Sequence, residues 1–155
     1  MRRQDREVTD PQRIQAIIDA CPVCRLGFYD EQGVYIVPLN FGYAYRDGRW
    51  TLYFHGAQEG RKRELLRRNP TVGFEMDAHF ELLEGPNACQ YSARYQSVIG
   101  TGRASVLEDP EAKKAALRTI MVHLAGEGPW TFSDAQVQAV CVFAVDVLQL
   151  SCKEH

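Results

Sequence analysis

The chain has 155 residues and a formal net charge of −2, from 18 basic and 20 acidic residues. This balance argues against a protein that binds nucleic-acid backbones, which needs a basic excess. A composition of 45% hydrophobic and 25% charged residues is globular, and the length suits one domain over residues 1–155. No apolar run approaches the roughly 18 residues that cross a bilayer. The charged N-terminus lacks the apolar segment of a signal peptide, so we expect a cytoplasmic protein.

The predicted elements are strands joined mostly by tight turns, with helices inserted between some of them. Asp10-Pro11 is typical of a helix N-cap followed by proline at the first helical position, which predicts a helix to Ala20. Further helices are predicted over residues 60–68 and 110–124. Six strands are predicted, over residues 23–29, 34–45, 50–54, 71–76, 91–107 and 140–150. Because a twisted sheet of this size tends to close, the pattern favours a barrel.

Three segments carry particular expectations. The strand over residues 34–45 has bulky residues on both faces and is therefore predicted to be central in the sheet. Pro38 cannot donate to a strand ladder, so a bulge or a break in pairing is expected near it. Residues 77–89 are predicted to be a loop, and residues 130–139 show no clear preference.

The cysteines and histidines show no metal-binding pattern. Five cysteines without framework spacing are most consistent with free thiols. The Cys21-Pro22-Val23-Cys24 motif has no second ligand pair and follows a predicted helix, so it is interpreted as a helix-to-strand junction rather than a zinc or redox site. The four histidines also lack ligand spacing, and no metal site is predicted.

The strongest functional signal lies between residues 55 and 63, where a strand ends in His55-Gly56-Ala57 and a helix begins after Gly60. The first helical residues are Arg61, Lys62 and Arg63. Cations are unfavourable at a helix N-terminus because the helix dipole is positive there, unless an anion is bound. The exposed N–H groups of a helix start, together with arginine and lysine, are typical of a phosphate site. The alternative is a solvated basic helix.

Two further stretches carry weaker signals. Residues 37–43 form an aromatic-rich strand in which Asn40 would need hydrogen-bond partners if buried, and a flat heteroaromatic ligand could provide them. Residues 91–102 alternate polar and apolar side chains, which fits an exposed strand face. Arg94, Tyr95, Gln96 and Ser97 within it could also meet a ligand or a second subunit.

Taken together, these segments resemble the pyridoxamine 5′-phosphate oxidase-like flavin-binding split barrels, and among them the nitroimidazole-resistance type. The matching segments occur in family order, over residues 1–8, 35–43, 52–62, 69–74 and 95–102. The resemblance covers nearly the whole chain. Two positions depart from the family pattern, because members often carry Ser where Gly56 stands and Arg where Gln96 stands.

The resemblance implies a mainly β protein with peripheral helices, a six-stranded split barrel, which forms a homodimer with FMN at the subunit interface. Arg61 and Lys62, after Gly60, would hold the phosphate, while His55, Gly56 and Ala57 would lie near the ring and the ribityl chain. The wall beside the isoalloxazine would comprise Val37, Pro38, Leu39 and Asn40. The partner subunit would contribute Tyr95, Gln96, Ser97 and Val98.

The function implied is an FMN-dependent oxidoreductase that reduces a small electron-poor substrate such as a nitro-aromatic, with His55 as the candidate catalytic residue. The alternatives are a non-catalytic flavin-binding protein, and a haem-binding relative with His55, His79 or His123 as an axial ligand. A deazaflavin or pyridoxal phosphate would also suit the phosphate site.

Overall fold

The computed structural model describes residues 3–155, so Met1 and Arg2 of the first resembling segment lie outside it. The strands are β1 (Glu7–Val8), β2 (Cys24–Asp30), β3 (Gly33–Leu39), β4 (Phe41–Arg46), β5 (Arg49–Ala57), β6 (Thr71–Leu83), β7 (Ser92–Val106) and β8 (Val140–Glu154). The α-helices are α1 (Pro11–Asp19), α2 (Arg61–Arg68), α3 (Pro110–Ala125) and α4 (Asp134–Gln138). Short 3₁₀ turns occur at Gln4–Arg6 and Ala88–Gln90. No helix within residues 3–155 is long and apolar enough to span a membrane.

The strands form one antiparallel sheet in the order β3-β2-β6-β7-β8-β5-β4, and β1 adds to β8. The two ends of this order, β3 and β4, are consecutive in the chain and are joined only by Asn40. Because neighbouring Cα atoms are about 3.8 Å apart, the two sheet edges must meet there. No ladder joins them among the described strands. This is the predicted split barrel with peripheral helices, and the fold class is confirmed.

All six predicted strands are present, but the one over residues 34–45 is divided at Asn40 into β3 and β4. The prediction that this segment is central is wrong, since β3 pairs with β2 alone and β4 with β5 alone. Its two-sided bulk arises because one side faces the barrel interior, while Val34 and Ile36 on the other are 68% and 63% exposed. Pro38 sits on this edge strand, where a missing N–H is tolerated.

The helices begin at the residues that the capping rules indicate. The Asp10 carboxylate accepts hydrogen bonds from the backbone N–H groups of Gln12 and Arg13, and Asp109 caps α3 in the same way. Within residues 130–139, Ser133 and Gln136 form a reciprocal capping box that starts α4. The Cys21–Cys24 motif joins α1 to β2, as predicted, and all five cysteines are free. Burial raises the pKa of the Cys21 and Cys24 thiols to about 12.

The predicted loop over residues 77–89 is wrong at its start, because β6 continues to Leu83. A bulge between Ala78 and Glu81, with His79 at φ 55°, lets the strand continue past the end of its pairing with β2. Residues 81–83 and 92–94 then pair only with each other. We call residues 79–94 the ribbon.

The ribbon has one charged side and one apolar side. Glu81 and Arg94 form an ion pair at 3.1 Å on the first side. Phe80 and Leu82 share the other side and are 70% and 55% exposed. A two-stranded ribbon is marginally stable when isolated, so this apolar side is a surface that favours a packing partner.

The main core fills the barrel and a second layer packs under α3. Phe54 stacks on Phe143 with ring centres 5.3 Å apart inside the barrel. Outside it, Ile120 of α3 packs with Val142 of β8 in a separate cluster. At Gly42 of β4 an added Cβ would lie 2.6 Å from the Ile120 nitrogen. The helix therefore lies directly against the backbone of the sheet.

We predict that Gly42→Ala destabilises the protein by about 2 kcal/mol or more, because the methyl group forces α3 away from β4. Urea unfolding measures the change in free energy. Gly73→Ala is the matched control, since its nearest neighbour would be the Gly100 oxygen at 3.9 Å. Equal stability of the two variants would contradict the close helix–sheet contact.

Candidate functional site

The start of α2 carries no side-chain cap. The N-cap residue is Gly60 with φ 125°, a backbone conformation that L side chains rarely adopt. The Gly60 carbonyl oxygen accepts hydrogen bonds from the backbone N–H groups of Arg63 and Glu64. Glycine has no side-chain oxygen to cap the earlier N–H groups of the helix, so the positive end of the dipole is left without a side-chain cap. The local sequence therefore produces an open, positively polarised helix start.

Three basic side chains follow this start, and they differ in their partners. The Arg61 guanidinium lies 4.7 Å from the centre of the Tyr35 ring on β3. Arg63 instead supports the preceding turn, donating from Nη1 to the Gln58 carbonyl oxygen at 3.0 Å and to the Gln58 side chain. Neither Arg61 nor Lys62 forms an ion pair within residues 3–155. Two uncompensated cations thus remain at the helix start.

Lys62 lies beside the end of β5. A Cβ built on Gly56 would be 3.1 Å from Lys62 Cε and 3.4 Å from Nζ. The absence of a side chain at Gly56 therefore leaves room for the lysine against the strand. Ala57, the next residue, is exposed. Small residues here keep the approach to the cations open.

His55 stands on β5 next to this charge. Desolvation by surrounding protein atoms, and secondarily the Lys62 ammonium, lower its pKa below the usual 6.5. The imidazole is therefore neutral at neutral pH and can donate one hydrogen bond and accept another. Since the pKa is lower in the folded chain, acid favours unfolding. The contribution of neutral His55 to the free energy of unfolding is present above pH 6.5. It is lost as the pH falls from 6.5 through the lower pKa that His55 has in the folded chain.

Strand register places the end of β3 beside His55. Phe41 pairs with Phe54 across β4 and β5, so Asn40, one residue earlier, is level with His55, one residue later. Asn40 is exposed, and its Nδ2 donates to the Pro22 carbonyl oxygen at 3.3 Å. The sequence pattern allowed Asn40 to be a buried polar residue that would need a ligand as its hydrogen-bond partner, and the structure shows that it is not buried. Pro38 is also exposed, whereas Val37 and Leu39 are half-buried against the core.

The structure brings residues 37–40, 55–57 and 60–62 to one end of the barrel, but it does not bring Tyr95–Val98 there within one chain. Gln96 and Val98 pair with Glu154 and Cys152 of β8, whereas β5 pairs with the opposite half of β8, residues 140–146. The Val98 side chain is fully buried in the core. Gln96 donates to the Glu154 carboxylate at 2.8 Å, and the Tyr95 backbone exchanges two hydrogen bonds with His155.

A cavity of about 410 Å³ opens beside His55, between β5, the start of β8, α3 and α4. Sequence reasoning missed this feature because residues 130–139 were left unassigned. The Ser133-x-x-Gln136 spacing of a capping box was a signal that could have located α4. The sequence analysis identified the basic helix start but not the largely apolar cavity that lies beside His55.

His123 and His155 have structural partners. Nε2 of His123 lies 2.9 Å from the Cys21 carbonyl oxygen, and its ring is 4.3 Å from that of Phe41. His155 is ordered by Tyr95 rather than being a loose terminus. Among the described residues, no group of three or more His, Cys, Asp or Glu side chains could hold a metal ion.

Comparisons with known proteins agree with this architecture. The family described as pyridoxamine 5′-phosphate oxidase matches residues 10–154, and the chain belongs to this family. A crystal structure of a candidate 5-nitroimidazole antibiotic resistance protein from Bacteroides thetaiotaomicron shares 36% identity over 96% of this chain and 86% of that one, with a TM-score of 0.81. A search of the curated proteins found no match.

Two other solved structures show what else this fold carries. A FAD-binding protein from Mesorhizobium loti is 26% identical over 95% of this chain and 96% of its own, with a TM-score of 0.63. The flavocytochrome Anf3 from Azotobacter vinelandii shares only the fold, at 23% identity over all of this chain and 72% of its own, with a TM-score of 0.83. The fold is therefore one that binds flavin in relatives.

We predict that Lys62→Met raises the pKa of His55 but leaves it below 6.5, because the lysine charge is the smaller cause and desolvation remains. NMR titration of the His55 ring protons measures the change. Arg67→Met, which removes a cation at the other end of α2, is the control and should leave the value unchanged. If the pKa of His55 is the same in both variants, the Lys62 charge does not act on His55 and the prediction is wrong.

Proposed function

We propose that the chain is an FMN-dependent oxidoreductase that acts as a homodimer on a small electron-poor acceptor such as a nitro-aromatic. The observation that carries the proposal is the pair of cations, Arg61 and Lys62, left without carboxylate partners at an uncapped helix start. A phosphate monoester satisfies both the charges and the free N–H groups. The similarity to the candidate nitroimidazole-resistance protein supports the acceptor class.

The residues present fit FMN. Arg61 and Lys62 would hold the phosphate, with Gly60 giving backbone access. Gly56 and Ala57 leave space for the chain and ring that follow. Pro38 and Asn40 are exposed on the adjoining strand end and would face the flavin, with Val37 and Leu39 behind them. Bound reduced FMN would supply the two electrons and two protons that convert a nitro group into a nitroso group and water.

His55 is the candidate catalytic residue because it is the one titratable side chain of the neighbouring cavity. Its neutral ring can donate a hydrogen bond to an acceptor oxygen and hold a proton there without adding a permanent charge. The absence of a second acid–base group at this cavity also suits the alternative, a flavin-binding protein without catalysis. FMN that is bound, accepts electrons from dithionite, and passes none to any nitro-aromatic would favour that alternative.

A homodimer is supported by the surfaces that one chain leaves uncovered. Ile36 and Ile99 are 63% and 49% exposed on the outer side of the sheet. The apolar side of the ribbon is exposed as well. Apolar patches of this kind are typical of subunit interfaces. A partner would also allow Tyr95–Val98 to contribute to the flavin site.

The proposed location is the cytoplasm. The five free thiols suit its reducing conditions.

We predict that Arg61→Glu weakens FMN binding by about 100-fold, since a charge-assisted contact is lost and a repulsive charge is added. Quenching of flavin fluorescence on titration measures the dissociation constant. Arg68→Glu, the same reversal at the far end of α2, should change it less than about threefold. FMN affinity that is unchanged by Arg61→Glu would remove the phosphate assignment. A purified protein without flavin absorbance or affinity would contradict the flavoprotein proposal itself.

We predict that the protein sediments as a dimer and that Ile99→Asp weakens dimerisation by about 30-fold, because a buried carboxylate replaces an apolar contact near the interface centre. Sedimentation velocity over a range of concentrations measures the constant. Leu124→Asp, at an exposed leucine on α3 away from that sheet face, is the control. A wild-type protein that sediments as a monomer at all concentrations would contradict the dimer.

A further inference from the structure

The cavity beside His55 has walls with a distinct chemical character. Six of its lining residues are large and apolar: Leu117, Ile120, Met121, Leu124, Phe132 and Val140. The polar side chains among its lining residues are His55 and Gln136, and no Asp, Glu, Lys or Arg lines it. Its volume of about 410 Å³ falls within the usual range for small-molecule sites.

The walls are built before any ligand arrives. The close contact at Gly42 seats α3 on the sheet. Lys114 of α3 lies 2.7 Å from the Asp134 carboxylate of α4 and 2.7 Å from that of Glu111, which ties the two helices together. The capping box of Ser133 and Gln136 then sets the start of α4. Because both helices are held by contacts outside the cavity, its shape does not depend on an occupant.

An uncharged cavity discriminates against ions. A carboxylate moved from water into such surroundings loses hydration that no cation of the wall replaces. His55 offers a single hydrogen bond at one end, and its depressed pKa agrees with a ring that carries no charge. Gln136 offers an amide at another position. An aromatic molecule with one or two uncharged polar groups matches this arrangement, and an organic anion does not.

The rim of the cavity contains one residue that can alter this preference. Leu124 belongs to the last turn of α3 and is 41% exposed, so its side chain reaches both the cavity and solvent. A longer polar side chain at this position can extend along the rim without entering the core. The residue is therefore placed to set which charges the cavity admits.

We propose that this cavity binds the body of the electron acceptor, that it selects uncharged aromatic compounds over their anionic analogues, and that Leu124 is a specificity-determining residue. The proposal rests on the proposed function and adds the location and charge of the acceptor. It concerns binding alone, so it can be measured without turnover.

The test uses purified protein saturated with oxidised FMN and a matched pair of probes, nitrobenzene and 4-nitrobenzoate. The two share a nitro-aromatic ring and differ by one carboxylate. Isothermal titration calorimetry at neutral pH should show nitrobenzene binding at least about tenfold more tightly. Leu124→Arg should raise the affinity for 4-nitrobenzoate by about fivefold or more, since a cation then stands at the rim.

Leu148→Arg is the matched control, the same substitution at a leucine that is 67% exposed on β8 and does not line the cavity. It should leave both affinities unchanged. Equal affinity of the wild type for the two probes, or equal behaviour of the two arginine variants, would overturn the proposal. A loss of FMN affinity in Leu124→Arg would also overturn it, because the cavity would then hold the flavin ring.

The failure of this inference and that of the proposed function are separable. If the protein binds no FMN, the flavoprotein proposal fails, yet the same titrations on flavin-free protein still report the charge preference of the cavity. If FMN binds and Arg61→Glu abolishes its binding while the two probes do not differ, the proposed function stands and the acceptor assignment fails.

Discussion

The connection between β3 and β4 constrains the rest of the molecule. A single residue, Asn40, joins the two outermost strands of the sheet order, so the sheet has to curl until its edges meet. That closure creates the barrel interior in which Phe54 and Phe143 stack. It also sets the end of β3 level with His55 on β5. The site and the core thus follow from the same short connection.

The helix that follows β5 carries a local conflict between charge and dipole. Arg61 and Lys62 stand at the positive end of α2, and Gly60 supplies no cap to offset it. Such an arrangement costs stability unless an anion is bound. Arg63 differs from its neighbours because it is engaged by Gln58. The structure therefore divides one basic run into a structural residue and two residues available to a ligand.

Uncovered apolar surface occurs at two separate places with different geometry. The outer side of the sheet and the ribbon are broad and open, as expected of surfaces between subunits. The cavity beside His55 is small and concave, as expected of a site for a small molecule. Sequence alone cannot separate these, because an exposed Ile99 and a cavity-lining Leu124 have the same apolar character.

The capping residues, the hairpin turns and the alternation along the strands were sufficient to predict the helices α1, α2 and α3 and the strands β2 to β8, with β3 and β4 joined as one, since these signals act over a few residues. The same local signals predicted an anion site at Gly60–Lys62, and the structure shows a helix start there without a side-chain cap. The irregularity predicted at Pro38 is absent, because the β2–β3 pairing continues through Pro38 to Leu39 and the strand is interrupted only at Asn40. The edge position of β3 and β4 was not predicted either. A strand with apolar residues on both sides can be a central strand covered on both sides or an edge strand with one side exposed. The sequence pattern is the same in the two cases.

What the sequence determined by itself was therefore local: element types, the basic helix start and a family pattern that implied the barrel. Tertiary structure decided which residues meet. It placed Asn40 level with His55, set Lys62 against Gly56 and left Tyr95–Val98 on a distant part of the sheet. It also formed a cavity beside His55 from α3 and α4, two helices that lie far from His55 in the sequence. These relations depend on strand register and sheet closure, which arise from contacts between distant segments and have no signature in any short stretch of residues.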